Sequence, residues 1–220
     1  MSEWWTKVDE ANIPVGRDQV IQADIAGEAR LGTVVFAHGS GSSRHSPRNR
    51  QVAEALQEAG FTTILLDLLT ESEERRDLQT GEHRFDIGLL TDRVIAAIEW
   101  MRGEGREAPI GLFGASTGAA AALRVAAAKP KDIGALVSRG GRPDMAGDAL
   151  AEVRAPTLLI VGGEDPQVLD LNRRALGELN AESSLQVVSG AGHLFEEPGK
   201  LECVADLATA WFRRHLGTAT

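Results

Sequence analysis

Short apolar segments alternate with segments of helical periodicity along most of the chain. Six of the apolar segments are nearly continuous in apolar residues, which is typical of strands that are covered on both faces of a parallel sheet. A seventh segment, 18–27, alternates apolar and polar residues, so we expect it at a more exposed edge. The six continuous segments are 33–39, 61–67, 110–114, 133–138, 157–163 and 185–190.

Five segments between the predicted strands place apolar residues on one face at helical spacing. The first helix is predicted to begin at Ser46-Pro47, where a capping serine precedes a proline in the first turn, and to end at Gly60. Because strands and helices alternate, the sequence predicts an α/β fold with helices on both faces of one sheet. The remaining helices are predicted over 86–102, 117–128, 165–179 and 198–216.

Composition and charge narrow the choice of partners. The 220 residues include 23 basic and 32 acidic side chains, a net charge of −9, which argues against nucleic acid or an anionic membrane as a partner. The single cysteine, Cys203, excludes an internal disulfide and a multi-thiolate metal site, and we interpret it as a helix-packing residue. No apolar run approaches the ~20 residues of a membrane span, and the first residues lack a signal-peptide pattern. We therefore expect a cytoplasmic protein in which residues 1–220 form a single domain.

The segment 114–118, Gly-Ala-Ser-Thr-Gly, lies between a predicted strand and a predicted helix. It matches the G-x-S-x-G pattern of a nucleophile on a sharp strand-to-helix turn. Small residues let the two backbones pass closely there, and the helix N-terminus directs free amides at whatever reacts with Ser116. Ser116 is therefore a candidate nucleophile, although the segment taken alone also fits a Gly/Ser-rich turn without chemistry.

A serine hydroxyl needs a base, usually a histidine that is oriented by a carboxylate. His193 follows the last predicted strand and Asp165 follows the strand before it. Since the carboxyl ends of parallel strands meet at one edge of a sheet, the order Ser116, Asp165, His193 predicts a catalytic triad. Asp165 also fits a simple helix cap before Pro166. Glu164 is the alternative carboxylate, and we favour Asp165 because its shorter side chain suits a fixed bond to an imidazole.

A tetrahedral intermediate needs hydrogen-bond donors for its negatively charged oxygen. The backbone N–H of Thr117, directly after the candidate nucleophile, is the first expected donor. The second is expected from the Gly/Ser-rich loop after strand 33–39, where we assign the Ser40 backbone N–H, with Gly41 as the alternative. We expect His38 to brace this loop by hydrogen bonding and not to act as a second base.

Taken together, these motifs resemble the α/β-hydrolase fold, and more closely the dienelactone hydrolase-like family, over about 20–216. The resemblance implies a mostly parallel sheet of about eight strands and a Ser (or Cys)–Asp–His triad that acts on esters or lactones, without metal or cofactor. Dienelactone hydrolases proper carry cysteine where this chain has Ser116, so the expected substrate is another small ester or lactone. The matching segments are AHGSGSSRHSPRN (37–49), LFGASTGAAAAL (112–123), LIVGGEDPQV (159–168) and GAGHLFEEPG (190–199).

The resemblance also shows where covering segments would be inserted. Larger α/β hydrolases often carry a lid after the strand that ends here near Ser138, but 140–155 leaves only 16 residues, enough for one short helix. We therefore predict an open site without a lid domain. The segment 68–85, with its charged centre, is expected to be a solvated loop, and a mobile flap over the site is the alternative.

Candidate substrate-binding residues are Gly41, Arg44 and Arg139. Arg139 follows a predicted strand end, where its guanidinium could clamp a substrate carboxylate. We favour instead a structural role for Arg139, pairing with Asp144 or holding its loop. Arg44 directly follows the Gly/Ser-rich loop after strand 33–39, which we call the oxyanion loop, and anchoring of that loop is its alternative role.

The sequence thus predicts a serine hydrolase of small carboxylic esters or lactones, with a small-molecule substrate as its partner. Acyl transfer to an acceptor other than water, including peracid formation, would use the same triad. A non-catalytic binding protein on this fold is a third hypothesis, and the presence of all three triad residues argues against it.

Overall fold

The computed structural model describes residues 8–217. Most of the amino-terminal stretch on which the signal-peptide argument depends, 1–7, lies outside them. The described residues form one eight-stranded sheet in the order β1-β2-β4-β3-β5-β6-β7-β8. Strands β2 and β4 are antiparallel, as are β1 and β2, and all other neighbours are parallel, which confirms the predicted mostly parallel sheet. The strands are β1 (Asp9–Pro14), β2 (Val20–Ala26), β3 (Gly32–Ala37), β4 (Phe61–Leu66), β5 (Ile110–Ala115), β6 (Ile133–Arg139), β7 (Thr157–Gly162) and β8 (Ser183–Val188).

Helices cover both faces of the sheet, as the alternating pattern predicts. On one face α3 packs against α4, and on the other α1 packs against α6, each above its own cluster of buried apolar side chains. Within 8–217, no helix is long and apolar enough to cross a membrane. The helices are α1 (Pro47–Glu58), α2 (Glu71–Thr80), α3 (Ile87–Gly103), α4 (Thr117–Ala128), a 3₁₀ segment (Pro143–Glu152), α5 (Pro166–Glu178) and α6 (Lys200–Leu216).

Strand β1 was not expected from the sequence, and it changes the position of β2. Its sequence, DEANIP, has two apolar positions before its terminal proline, the partly buried Ala11 and the buried Ile13, and an alternation this short does not predict a strand. It pairs antiparallel with β2. The segment 18–27 therefore lies second from the edge and not at the edge itself.

The prediction of a solvated loop over 68–85 is wrong, because most of this segment is helix α2. Thr70 and Glu73 form a capping box: the Glu73 N–H donates to Thr70 Oγ1 at 3.3 Å, and the Thr70 N–H donates to the Glu73 carboxylate at 2.8 Å. The helix ends at Gly81, whose φ of 69° suits a glycine C-cap. The 3₁₀ segment lies within 140–155, where one short helix was predicted, but Gly147, with a φ of 58° and a ψ of −140°, divides it into two short turns.

Candidate active site

Ser116 lies on a strained turn between β5 and α4. Its φ of 50° and ψ of −120° place a non-glycine residue at positive φ, which costs of order 1–3 kcal/mol and persists at functional sites. The flanking glycines leave no space for a side chain. A Cβ on Gly114 would lie 2.4 Å from the Ala119 Cα, and one on Gly118 would lie 2.2 Å from the Ala37 carbonyl oxygen. The close packing of strand, helix and neighbouring strand thus holds Ser116 in this conformation.

Asp165 and His193 are joined by a short hydrogen bond. His193 Nδ1 lies 2.7 Å from Asp165 Oδ2. Because an ionised carboxylate only accepts, Nδ1 carries the hydrogen and Nε2 is left free to accept a proton. The other carboxylate oxygen of Asp165 accepts from the Val168 N–H at 3.4 Å, so Asp165 also caps α5. The two roles considered for Asp165 in the sequence are therefore combined in one side chain.

The backbone of Glu164 helps to position the loop that carries Asp165. Its N–H donates to the Ala191 carbonyl at 2.9 Å and ties the loop after β7 to the loop after β8. The Asp165 N–H closes its own turn on the Gly162 carbonyl at 3.2 Å. These bonds hold Asp165 facing His193, and Asp165 is the carboxylate that contacts the imidazole.

The segment 139–142 contacts both Ser116 and His193. The Ser116 N–H donates to the Arg139 carbonyl at 3.2 Å, and the Arg142 N–H donates to the Ser116 carbonyl at 3.1 Å. A Cβ on Gly140 would lie 3.5 Å from His193 Nδ1. Among the described residues no hydrogen bond joins Ser116 Oγ to His193, and catalytic hydrogen bonds often form only when substrate is bound.

The loop that follows β3 approaches the nucleophile closely. A Cβ on Gly39 would lie 3.0 Å from the Ser116 Cβ. The next amide, that of Ser40, donates to Thr117 Oγ1 at 2.9 Å. The predicted second oxyanion donor is therefore directed at the Thr117 side chain. Gly41, the alternative donor, has a φ of 69° in the same turn.

His38 braces this loop through both ring nitrogens. The Leu68 N–H can only donate, so His38 Nε2 accepts from it at 3.2 Å and Nδ1 donates to the Gly39 carbonyl at 2.8 Å. Burial lowers the pKa of His38, against the opposing effects of the Gly39 carbonyl and the Asp67 charge. These contacts agree with the expected bracing role.

The lowered pKa of His38 predicts a pH-dependent loss of stability. The unfolded chain, with an ordinary His pKa near 6.5, binds the proton more readily than the folded one, so this contribution is present above about pH 6.5 and is lost as pH falls through the folded pKa. We expect urea unfolding of His38→Gln to show a shallower decline in free energy from pH 7.5 to 5.5 than wild type. Parallel declines in the two proteins would contradict this assignment.

Arg44 is fixed by two carboxylates. Its backbone N–H donates to Asp67 at 2.8 Å, and its guanidinium pairs with Asp24 at 3.0 Å and also with Asp67. The side chain is mostly buried, and the neighbouring carboxylates raise its pKa against the effect of burial. These contacts favour the anchoring role over substrate binding.

Arg139 is buried beside the turn that carries Ser116, and among the described residues no carboxylate pairs with it. Its side chain is on the α1 face of the sheet, where Nη2 donates to Asn49 Oδ1 at 3.1 Å, and Nη1 has no partner among the described residues. Burial, with a smaller contribution from Arg48, lowers its pKa to about 10. The favoured pairing with Asp144 is wrong, because Asp144 forms a bidentate pair with Arg142 at 2.7 and 2.8 Å.

A small cleft of about 70 Å³ lies beside the oxyanion loop. The loop 38–42 forms one wall, and α2 contributes Glu74, Asp77 and Leu78 to the other. Asp77 is held by the backbone of the following turn and by Arg84 Nε at 2.7 Å. Helix α2, within the segment 68–85, thus flanks the site.

Comparison with known proteins shows the family to which the chain belongs. A model of the α/β hydrolase fold family matches residues 32–155, more than half of the chain, and the chain belongs to that family. Within it the chain is dienelactone hydrolase-like: a dienelactone hydrolase from Anabaena variabilis is 48% identical, with a TM-score of 0.93 over 96% of this chain and 99% of that one. The family expected from the sequence motifs is thereby confirmed.

Two further similarities are to curated proteins about twice as long as this chain and to a solved structure that shares the fold at low sequence identity. Mycobacterium tuberculosis proteins whose name suggests a phosphoribosyl transferase are 54% identical over 222 residues, covering 95% of this chain and 49% of their own. The chain spans about half the length of these curated relatives. Est1E from Butyrivibrio proteoclasticus shares the fold with a TM-score of 0.78, over 93% of this chain and 98% of that one, at 14% identity.

Proposed function

We propose that this chain is a serine hydrolase that cleaves small carboxylic esters or lactones through an acyl-enzyme on Ser116. The observation that carries the proposal is the 2.7 Å bond between His193 and Asp165. It forms at the carboxyl ends of the parallel strands, where Ser116 lies at positive φ. A binding protein on this fold would need neither this pair nor the strain at Ser116.

The residues have distinct roles in the proposed reaction. Ser116 Oγ attacks the carbonyl carbon while His193 Nε2 accepts its proton, and Asp165 stabilises the resulting imidazolium. The Thr117 N–H donates to the oxygen that becomes negative. His193 then returns the proton to the leaving alcohol. Water attacks the acyl-enzyme in the same way, with His193 accepting its proton, and the acid is released as Ser116 regains its hydrogen. The proposal requires neither a metal nor a cofactor, and it includes the cytoplasmic location expected from the sequence.

A covalent probe tests the proposal directly. A fluorophosphonate should label the protein once, and peptide mass spectrometry should place the adduct on Ser116. A parallel panel of activated esters, lactones and thioesters, compared by kcat/KM, would define the substrate class. An unlabelled protein, or an adduct on another serine, would remove the basis for an acyl-enzyme at Ser116.

We expect a preference for short acyl groups, acetyl to butyryl, without interfacial activation. The 3₁₀ segment spans ten residues and α2 carries one apolar side chain, Leu78, so neither element offers the apolar surface that a long acyl groove requires. Each methylene bound in such a groove would contribute ~0.8 kcal/mol and would raise kcat/KM along the series. The measurement is a p-nitrophenyl ester series below the micelle concentration. A rise from butyrate to decanoate would show that an acyl groove exists.

A further inference from the structure

The Ser40 amide has one hydrogen, and the structure shows where it is directed. It donates to Thr117 Oγ1 at 2.9 Å, a normal distance for an N–H to oxygen bond. An amide engaged in this way does not at the same time donate fully to a second acceptor. A substrate oxygen at the active site would therefore meet the Thr117 hydroxyl where the sequence predicts the Ser40 amide.

The Thr117 hydroxyl retains a hydrogen to donate. A threonine hydroxyl has one hydrogen and two lone pairs, and here one lone pair accepts from Ser40. Within the part of the chain that the structure describes, this hydroxyl donates no hydrogen bond of its own. Because the hydroxyl already accepts a hydrogen bond, it is polarised and becomes a better donor.

The Thr117 hydroxyl also lies close to both the nucleophile and the loop after β3. Thr117 directly follows the nucleophile and is 2% exposed, so its side chain is held by packing. Its Oγ1 reaches the residue directly after Gly39, and a Cβ on Gly39 would lie 3.0 Å from the Ser116 Cβ. The hydroxyl thus lies between the nucleophile turn and the loop after β3, the two segments from which the sequence predicts the oxyanion donors.

We propose that Thr117 supplies both oxyanion donors, its backbone N–H and its hydroxyl, and that the Ser40 amide acts through this hydroxyl as a positioning group. The inference rests on the proposed function, because it requires an acyl transfer at Ser116. The hydroxyl keeps its proton throughout, and only the acceptor of its hydrogen changes as the substrate carbonyl becomes tetrahedral.

Three substitutions at this position separate the hydroxyl from the shape of the side chain. Thr117→Val preserves shape and removes the hydroxyl, Thr117→Ser preserves the hydroxyl, and Thr117→Ala removes both. We expect kcat on a p-nitrophenyl ester to fall on the order of 10²-fold in the valine and alanine variants, with KM changed only a few-fold. The serine variant should remain within about tenfold of wild type in kcat. Thr157→Val is the matched control, because it removes a buried hydroxyl, bonded to the Ala155 carbonyl, at the opposite end of the sheet.

A second measurement distinguishes donation from simple structural support. Phenylboronic acid forms a tetrahedral adduct with an active serine, so its affinity should weaken in parallel with kcat in Thr117→Val, while the melting temperature stays close to wild type. A Thr117→Val variant that retains wild-type kcat and boronate affinity would overturn the proposal and return the role to the Ser40 amide. A wild type that is not labelled by fluorophosphonate at Ser116 would instead show that the proposed function itself is wrong.

Discussion

Ser116→Ala is expected to lower kcat by at least 10³-fold on any ester that the wild type cleaves. Removal of the hydroxyl abolishes the acyl-enzyme, and only substrate binding and oxyanion stabilisation remain. The fold should be retained, because alanine occupies less space than serine in the same turn. Its stability should stay close to that of wild type, because alanine keeps the Cβ and therefore the strain at φ 50°, and the Ser116 side chain makes no capping hydrogen bond with α4.

The measurement is steady-state kinetics combined with circular dichroism and a thermal melt. Ser138→Ala is a suitable control, because it removes a buried hydroxyl from neighbouring β6. Residual activity in Ser116→Ala above one per cent of wild type, in a preparation free of contaminating esterase, would mean that another residue attacks the carbonyl.

Asp165→Asn is expected to lower kcat on the order of 10⁴-fold without unfolding α5. An asparagine amide can donate to His193 Nδ1 and so stabilise the tautomer whose Nε2 carries the hydrogen and cannot accept a proton from serine. Asparagine caps a helix about as well as aspartate, so the bond to the Val168 N–H should survive. The substitution therefore separates the two roles of this side chain.

Kinetics of single and double variants test this prediction. Because triad residues act as one unit, Asp165→Asn combined with Ser116→Ala should be little worse than Ser116→Ala alone. Glu164→Gln, which changes the neighbouring side chain and leaves its backbone bond to Ala191 intact, should remain close to wild type. If instead Glu164→Gln abolished activity and Asp165→Asn did not, the orienting carboxylate would be Glu164.

Most of the fold was predictable because its strands are buried on both faces. Continuous apolar segments such as 157–163 admit few interpretations, and the glycines of the 114–118 turn fix where strand ends and helix begins. The elements that were missed bury little. In strand β1 one side chain, that of Ile13, is buried. In α2 the one apolar side chain, Leu78, is 75% exposed. Hydrophobic periodicity cannot report on elements that form without apolar burial, although Thr70-x-x-Glu73 was a readable signal for α2.

The candidate site likewise contains some features that the sequence predicts and others that it does not. Residue type and strand-end position were enough to bring Asp165 to His193, because the topology dictates which loops meet. Side-chain partners were not predictable in the same way. The donation of the Ser40 amide to Thr117, and the pairing of Asp144 with Arg142 instead of Arg139, depend on local backbone angles that spacing does not specify.

Helix α2 is attached to the molecule almost entirely by polar contacts. Its side chains hold it through the capping box, the bond of Glu73 to Arg93 at 2.6 Å and the bonds of Asp77 to the following turn. These contacts bury little apolar surface, whereas the helices above the core are held by apolar packing. Local opening of α2 therefore requires far less free energy than global unfolding, and its amides should exchange with solvent long before those of α4. The wall of the cleft that faces the oxyanion loop can fluctuate while Ser116, on the closely packed turn between β5 and α4, stays in place.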